Sequence, residues 1–284
     1  MKLSIVTINY NNAEGLKKTL ASVTSQTYRN IEHIIVDGGS TDGSVDIIRD
    51  YESDNHSSVH PLTIIWSSKK DKGIYNGMNI GIQRATGDYI QILNSGDLLA
   101  APEVTERMMN ALHNTSNITH QTSIPILYGN MIKKDYNTGK IIGKSGKVEY
   151  SLRQYFSSTM NHDCCYFRRD LFETYGLYDE NLKIVSDWKW FLQAIGLGQV
   201  KPVYVDIDVT IFDASGISET NLSLRNQERR QVLEELLPPA ILADYDKYAF
   251  PTTQIDRLKK YHLWPLVYFV ERVLFKLNKW HFLR

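Results

Sequence analysis

The sequence predicts an α/β domain with a mostly parallel central sheet flanked by helices, and three observations carry that expectation. Short apolar runs recur through the first 100 residues without polar alternation, so they read as strands covered on both faces. Stretches of helical periodicity separate them. Two of the runs close on small polar residues and a carboxylate, in Asp37-Gly-Gly-Ser and Asn94-Ser-Gly-Asp97. Strand ends of that kind are where open α/β sheets bind ligands.

The elements follow in order. Strands are expected at residues 3–8, 31–36, 62–66 and 89–93. Between the first two, Asn11 can cap a helix with Glu14 three residues on, and Leu16, Leu20 and Val23 form one apolar face. Ser40 or Thr41 can cap a second helix carrying Val45 and Ile48, and a third is expected over Ile74–Arg84. Pro102 suits a first helical position, followed by Val104, Met108 and Leu112 on one face. Residues 113–123 read as a polar loop. The second half is less regular, with a strand at 126–128 and a hairpin turned by Asn137-Thr-Gly139 between 131–134 and 140–143. A strand at 164–167 precedes a short helix, and residues 188–194 look helical.

Length and charge bound the rest. The 284 residues suit one domain over residues 1–220, with halves of about 1–100 and 101–220, and a helical C-terminal extension over 221–284. With 32 Lys+Arg against 32 Asp+Glu, the chain offers no basic excess for a nucleic-acid partner. The balance is uneven, because residues 255–284 hold seven Lys/Arg against Asp256 and Glu271, net +5, which leaves −5 for the remainder. Cys164 and Cys165 are the two cysteines, and sequence neighbours form neither an unstrained disulfide nor a four-ligand zinc site. They read as strand packing in a reducing, cytoplasmic setting. No basic leader with a long apolar run precedes residue 20, so no signal peptide is expected.

Three carboxylates carry the chemistry, each with a plainer structural reading beside it. Asp37 can accept a hydrogen bond from a nucleobase imino group, or simply cap its turn. The Gly38-Gly39 pair lacks the G-x-G-x-x-G spacing, which argues against a nicotinamide cofactor. Asp97 can hold a hard divalent cation against phosphate oxygens, or cap the turn before Leu98. Asp187, ahead of Trp188, Trp190 and Phe191, can cap a helix and also serve as a general base, since a helix start favours its charge. His162 beside Asp163 is either a core histidine or a contact for an acceptor or phosphate.

In combination these motifs resemble the family 2 glycosyltransferases of the GT-A fold. The resemblance runs from residue 2 to about 218 through Ser4-Ile-Val-Thr-Ile-Asn-Tyr10-Asn11, Val36-Asp37-Gly-Gly-Ser-Thr-Asp-Gly, Asp71-Lys-Gly-Ile-Tyr-Asn-Gly-Met-Asn79, Leu93-Asn-Ser-Gly-Asp97, His162 and Ser186-Asp187-Trp. It implies a GT-A nucleotide-sugar-binding domain in which Tyr10 and Asp37 hold uracil, Asp71 and Lys72 border the nucleotide, Asp97 binds Mg²⁺ or Mn²⁺, and Asp187 is the base. It further implies transfer, with inversion, from a UDP-sugar to a saccharide or lipid-linked saccharide in bacterial surface polysaccharide assembly. Phe212-Asp213-Ala-Ser-Gly216-Ile217-Ser218 resembles a family loop that closes over the donor. Two departures stand out. Asn94 and Gly96 replace the first two acids of the D-x-D-D pattern, and Ser186 replaces the acid before the base.

The last thirty residues lie outside the resemblance. Leu266, Val270, Val273, Leu277 and Trp280 recur at helical spacing, with Arg272, Lys276 and Lys279 on a flank. Such a helix suits an anionic membrane surface, at the inner face of the plasma membrane, or a contact with the domain or a second subunit. Two rival functions remain open on the sequence. A non-catalytic nucleotide-sugar-binding or scaffold protein would bind without turnover. A sugar nucleotidyltransferase would need a glycine-rich basic phosphate loop after the first strand, where Asn9-Tyr-Asn-Asn-Ala-Glu stands instead.

Overall fold

The computed structural model describes residues 1–57, 61–119, 123–135, 138–148, 151–157, 159–213, 221–247 and 261–281. The four expected strands are β1 (Leu3–Asn9), β2 (Ile31–Asp37), β3 (Thr63–Ser68) and β4 (Tyr89–Ile92), all parallel in the order β3-β2-β1-β4. Helices α1 (Ala13–Thr24), α2 (Ser44–His56) and α3 (Ile74–Arg84) make the crossovers. The chain thus adds β2 and β3 on one side of β1 and β4 on the other. The carboxyl ends of β1 and β4 therefore flank the point where strand order reverses, the usual ligand crevice.

Beyond β4 the sheet becomes mixed. It continues through β8 (Cys165–Arg168), β6 (Ile126–Lys134), β9 (Val203–Asp213) and β5 (Leu98–Leu99), while β7 (Ile141–Lys144) pairs with β6. β8 runs antiparallel to β4, so its amino end lies at the edge where β4 ends. The 3₁₀ turn His162–Cys164, just before β8, is thereby carried to the ligand edge.

Close packing holds the parallel half together. A Cβ on Gly81 would lie 2.2 Å from Val6 Cγ1, so α3 can lie this close to β1 only with a glycine there. His33 is wholly buried in β2, with Nε2 2.9 Å from Thr7 Oγ1 and Nδ1 2.9 Å from Tyr51 Oη. Burial pushes its pKa down to about 3, so it is a neutral core histidine.

Several expected boundaries move. Asn12, not Asn11, caps α1, its Oδ1 accepting from Gly15 N at 3.1 Å. Asn11 instead takes φ 48° and accepts from Thr41 N, so its side chain serves the neighbouring turn. α2 starts beyond Ser40 and Thr41, where Asp42 Oδ1 accepts from Ser44 N at 3.1 Å. Helix α4 (Val104–Thr119) runs through the first part of the expected polar loop, because buried Met108 and Leu112 anchor a segment with no glycine or proline to stop it. Pro102 sits in the turn ahead of α4. β6 joins the two expected strands at 126–128 and 131–134 into one, and Asn137 of the expected hairpin lies outside the described residues.

The remaining helices are α5 (Leu152–Ser157), α6 (Leu171–Thr174), α7 (Ser186–Phe191, continued by a π turn over Leu192–Leu197), α8 (Leu222–Leu236) and α9 (Trp264–His281). The chain divides into two compact units, Met1–Arg229 and Arg230–Arg284, with the division inside α8. Residues 214–218 of the expected donor-closing loop lie outside the described residues. Among the described residues, no helix is long and apolar enough to cross a membrane.

Candidate active site

The ends of β1, β2 and β3 meet in one polar floor. A Cβ on Gly38 would lie 2.9 Å from Asp71 Oδ2 and 3.2 Å from Tyr10 Cδ2, so these three residues adjoin and the glycine makes the room. Tyr10 is exposed and can offer its ring face to a base. Asp71 Oδ1 accepts from Gly73 N at 2.9 Å, while Lys72 is exposed and its backbone N–H donates to Asn76 Oδ1.

Asp37 sits beneath this floor. Its carboxylate is fully buried and accepts five protein hydrogen bonds, from Asn9 Nδ2, Ser40 Oγ, Ser68 Oγ and the backbone N–H groups of Gly39 and Ser40. Burial alone would raise its pKa, but those donors outweigh it and the pKa falls below the ordinary value. The expectation that Asp37 accepts from a base imino group thus meets a carboxylate already occupied by its own turn. What it visibly does is fix the Gly38-Gly39-Ser40 backbone under Tyr10.

Asp187 lies inside the first turn of α7 and does not cap it; its side chain turns toward two partners. Tyr75 Oη on α3 is 2.9 Å from Asp187 Oδ1 and 2.7 Å from Ile184 O, so one phenolic proton is shared between two acceptors. His162 Nδ1 is 3.0 Å from Asp187 Oδ2, and His162 Nε2 faces Asn94 Nδ2 at 3.2 Å. The side chains of His162 and Asp187 are 17% and 16% exposed, enough to meet a ligand from one side. Burial pulls the His162 pKa down, but the hydrogen bond and charge of Asp187, with Asp163 and Asp97, raise it to about 9. In return His162 outweighs the burial of Asp187 and holds that carboxyl below its ordinary range. At neutral pH the pair is imidazolium and carboxylate.

Three elements aim the loop that presents Asp187. Glu228 on α8 accepts from the N–H groups of Lys183, Ile184 and Val185 at 2.8, 2.9 and 3.3 Å. Asn79 on α3 donates to Tyr178 O and accepts from Tyr178 N, at 2.9 and 3.0 Å. Phe167, Phe172, Tyr178 and Trp190 pack their rings below. Tyr75, Asn79 and Glu228 were given no role of their own from the sequence, and Asn94 was noted only as a departure from the acidic pattern. The segment Asp71 to Asn79 was singled out, but as a border to the nucleotide, whereas its Tyr75 and Asn79 reach across to the loop before Asp187.

The Asn94-Ser-Gly-Asp97 turn joins the two sides. Ser95 N donates to Ile8 O at 3.0 Å, and Asn12 Nδ2 donates to Ser95 O at 3.0 Å, so the turn is bound to the end of β1. Asp97 is buried and its charge reaches His162. Asn94 Oδ1 is buried with no hydrogen-bond partner among the described residues. The single carboxylate of Asp97 fits a hard cation that takes its remaining ligands from a donor's phosphates. Among the described residues no group of three or more His, Cys, Asp or Glu could hold a metal unaided.

Sheet, switch point and site together define a GT-A nucleotide-sugar transferase fold. Residues 4–176 match the family model described as glycosyl transferase family 2, and the chain belongs to that family. An uncharacterized glycosyltransferase of Mycobacterium tuberculosis is 29% identical over 221 residues, 76% of each chain. A PGL/p-HBAD biosynthesis glycosyltransferase of Mycobacterium bovis is 26% identical over 220 residues, 76% of this chain and 79% of that protein. Two solved structures share the fold at 17% identity. Staphylococcus aureus TarS 1-349 in complex with UDP-GlcNAc has a TM-score of 0.62 over 82% of this chain, which spans 64% of that one. The mannosyltransferase PcManGT from Pyrobaculum calidifontis, in complex with GDP-Man and Mn2+, has a TM-score of 0.61 over 87% of this chain and 69% of its own.

Proposed function

We propose that this chain is an inverting glycosyltransferase that moves a sugar from a UDP-sugar to a saccharide or lipid-linked saccharide acceptor in surface polysaccharide assembly. The observation that carries the reading is the Tyr75–Asp187–His162–Asn94 array, which ties an ionised carboxylate to the turn bearing Asp97. Tyr75, His162 and the Trp188 backbone N–H account for three of the roughly four lone-pair sites of the Asp187 carboxylate and leave one for a proton. As the acceptor oxygen bonds to the anomeric carbon, the bond from that carbon to the UDP oxygen breaks on the opposite face. The hydroxyl proton passes to Asp187, and UDP leaves with the electron pair. Tyr10, the Gly38-Gly39 turn fixed by Asp37, and Asp71 with Lys72 would seat the nucleotide. A Mg²⁺ or Mn²⁺ held by Asp97 would offset the charge growing on the departing diphosphate. The PGL/p-HBAD biosynthesis relative supports a surface-glycan role, and the setting proposed is the cytoplasmic face of the membrane.

The test is UDP release from a panel of UDP-sugars by full-length protein, with Mn²⁺ and with chelator. Asp187→Asn should leave UDP affinity within about twofold while turnover falls about 10²-fold to 10⁴-fold, the range for a lost general base. Equal turnover in the variant would assign the proton transfer elsewhere, and activity indifferent to chelator would remove the metal.

A further inference from the structure

A cavity of about 320 Å³ opens in the first unit, lined by Tyr128, Lys147, Asn161, Arg225 and Arg229 among others. That volume is in the range of small-molecule sites, about 300 to 1,000 Å³. None of Tyr10, Asp37, Asp71, Lys72 or Asp97 is among its described lining residues, so it is separate from the nucleotide floor. It adjoins the base. Asn161 precedes His162, and the Arg229 guanidinium lies over the Trp188 ring, 5.3 Å from its centroid, one residue past Asp187.

The charge of the lining is one-sided. Three cations face it, and no Asp or Glu is among its described residues. Arg229 has no ion-pair partner among the described residues, and its Nε is buried without an acceptor. Burial and the nearby charge of Arg225 both work against its proton, with Asp187 opposing them. Stacking on Trp188 covers one face of the guanidinium and leaves the in-plane Nε–H without an acceptor among the described residues. A planar fork in that state is suited to a phosphate, which accepts two parallel hydrogen bonds.

We propose that this cavity is an acceptor subsite that binds the phosphate of a phosphorylated saccharide, Arg229 and Arg225 gripping the phosphate while the sugar hydroxyl reaches Asp187. The proposal rests on Asp187 being the base. It adds that the acceptor carries an anionic phosphate ester, as a lipid-linked saccharide does. The same phosphate chemistry could come from free phosphate or from the departing UDP, and the experiment separates these sources.

Full-length protein saturated with UDP and Mn²⁺ is titrated calorimetrically with glucose 1-phosphate, glucose and inorganic phosphate. Glucose 1-phosphate should bind at least about tenfold tighter than either of the others, and Arg229→Gln and Arg225→Gln should each weaken it at least about tenfold, the scale of a hydrogen bond to a charged group. UDP affinity should stay within about twofold. Unchanged glucose 1-phosphate affinity in both variants would overturn the proposal. Inorganic phosphate binding as tightly as glucose 1-phosphate would reduce the site to a plain anion hole, and a parallel loss of UDP affinity would give the arginines to the donor. If Arg229→Gln unfolds, Arg225→Gln and Arg229→Lys carry the comparison. If the wild type does not bind UDP, the donor reading falls, and the same titration without UDP still decides the cavity.

Discussion

His162 is where a single side chain sets the chemistry of another. An imidazolium has no acceptor nitrogen, so when His162 is charged the Asn94 amide must turn its oxygen toward Nε2, giving a partner to the Oδ1 that now has none. The folded pKa of about 9 lies above the ordinary 6.5, so the stability from this pair is fully present below about 6.5 and is lost as pH rises through 9. The partner sign is opposite. Asp187 has a lowered pKa, so its share is present above the ordinary carboxylate range and is lost as pH falls through the folded value. His162→Gln removes the cation, and the Asp187 pKa should rise. A pH–rate profile of the variant should show its acidic limb displaced to higher pH and no limb near 9. A profile superimposable on the wild type would show that His162 does not tune the base.

At the scale of elements, the loop ahead of α7 is held from outside itself. Glu228 gives one carboxylate oxygen to Lys183 N and the other to Ile184 N and Val185 N. In Glu228→Gln the amide NH₂ would face an N–H, donor against donor, and stability should fall by about 1 to 3 kcal/mol. Urea unfolding measures that loss, and a variant within a few tenths of the wild type would mean the loop needs no such brace. None of this is legible in the sequence, because Glu228 and Lys183 are far apart along the chain and nothing local marks the pairing. The parallel half is different. Its strands announce themselves through unbroken apolar runs, and α3 was expected over the residues it occupies, since burial on both faces leaves a strong local pattern. Caps were misplaced by a residue or more because Asn11, Asn12, Ser40 and Asp42 are all competent acceptors and only the turn geometry selects among them. Asp37, Asp97, His162 and Asp187 were picked out by residue type and setting, but the pairing of His162 with Asn94 emerged only when β8 reversed direction and brought its leading turn to the end of β4, and that of Tyr75 with Asp187 only when α3 met the start of α7.

For the whole molecule, net charge hides a division of labour. Residues 255–284 carry net +5 and the remainder −5, so the two parts meet an anionic surface with opposite sign. Within this segment α9 presents Leu266, Phe269, Val270, Val273 and Phe275 to solvent, an exposed apolar surface beside Arg272. Lys or Arg near an anionic bilayer contributes about 1 kcal/mol each before salt screening, and the aromatic residues add burial in the headgroup region. We therefore expect removal of residues 255–284 to reduce co-sedimentation with anionic liposomes while UDP affinity, measured in parallel, stays within about twofold. Raising salt should weaken the attachment of the intact chain only in part, because the apolar contribution is not screened. Indifference of the full-length protein to anionic liposomes at low salt would defeat the membrane reading. Loss of UDP affinity on truncation, or a change of oligomeric state without any effect on liposome binding, would instead assign α9 to protein packing.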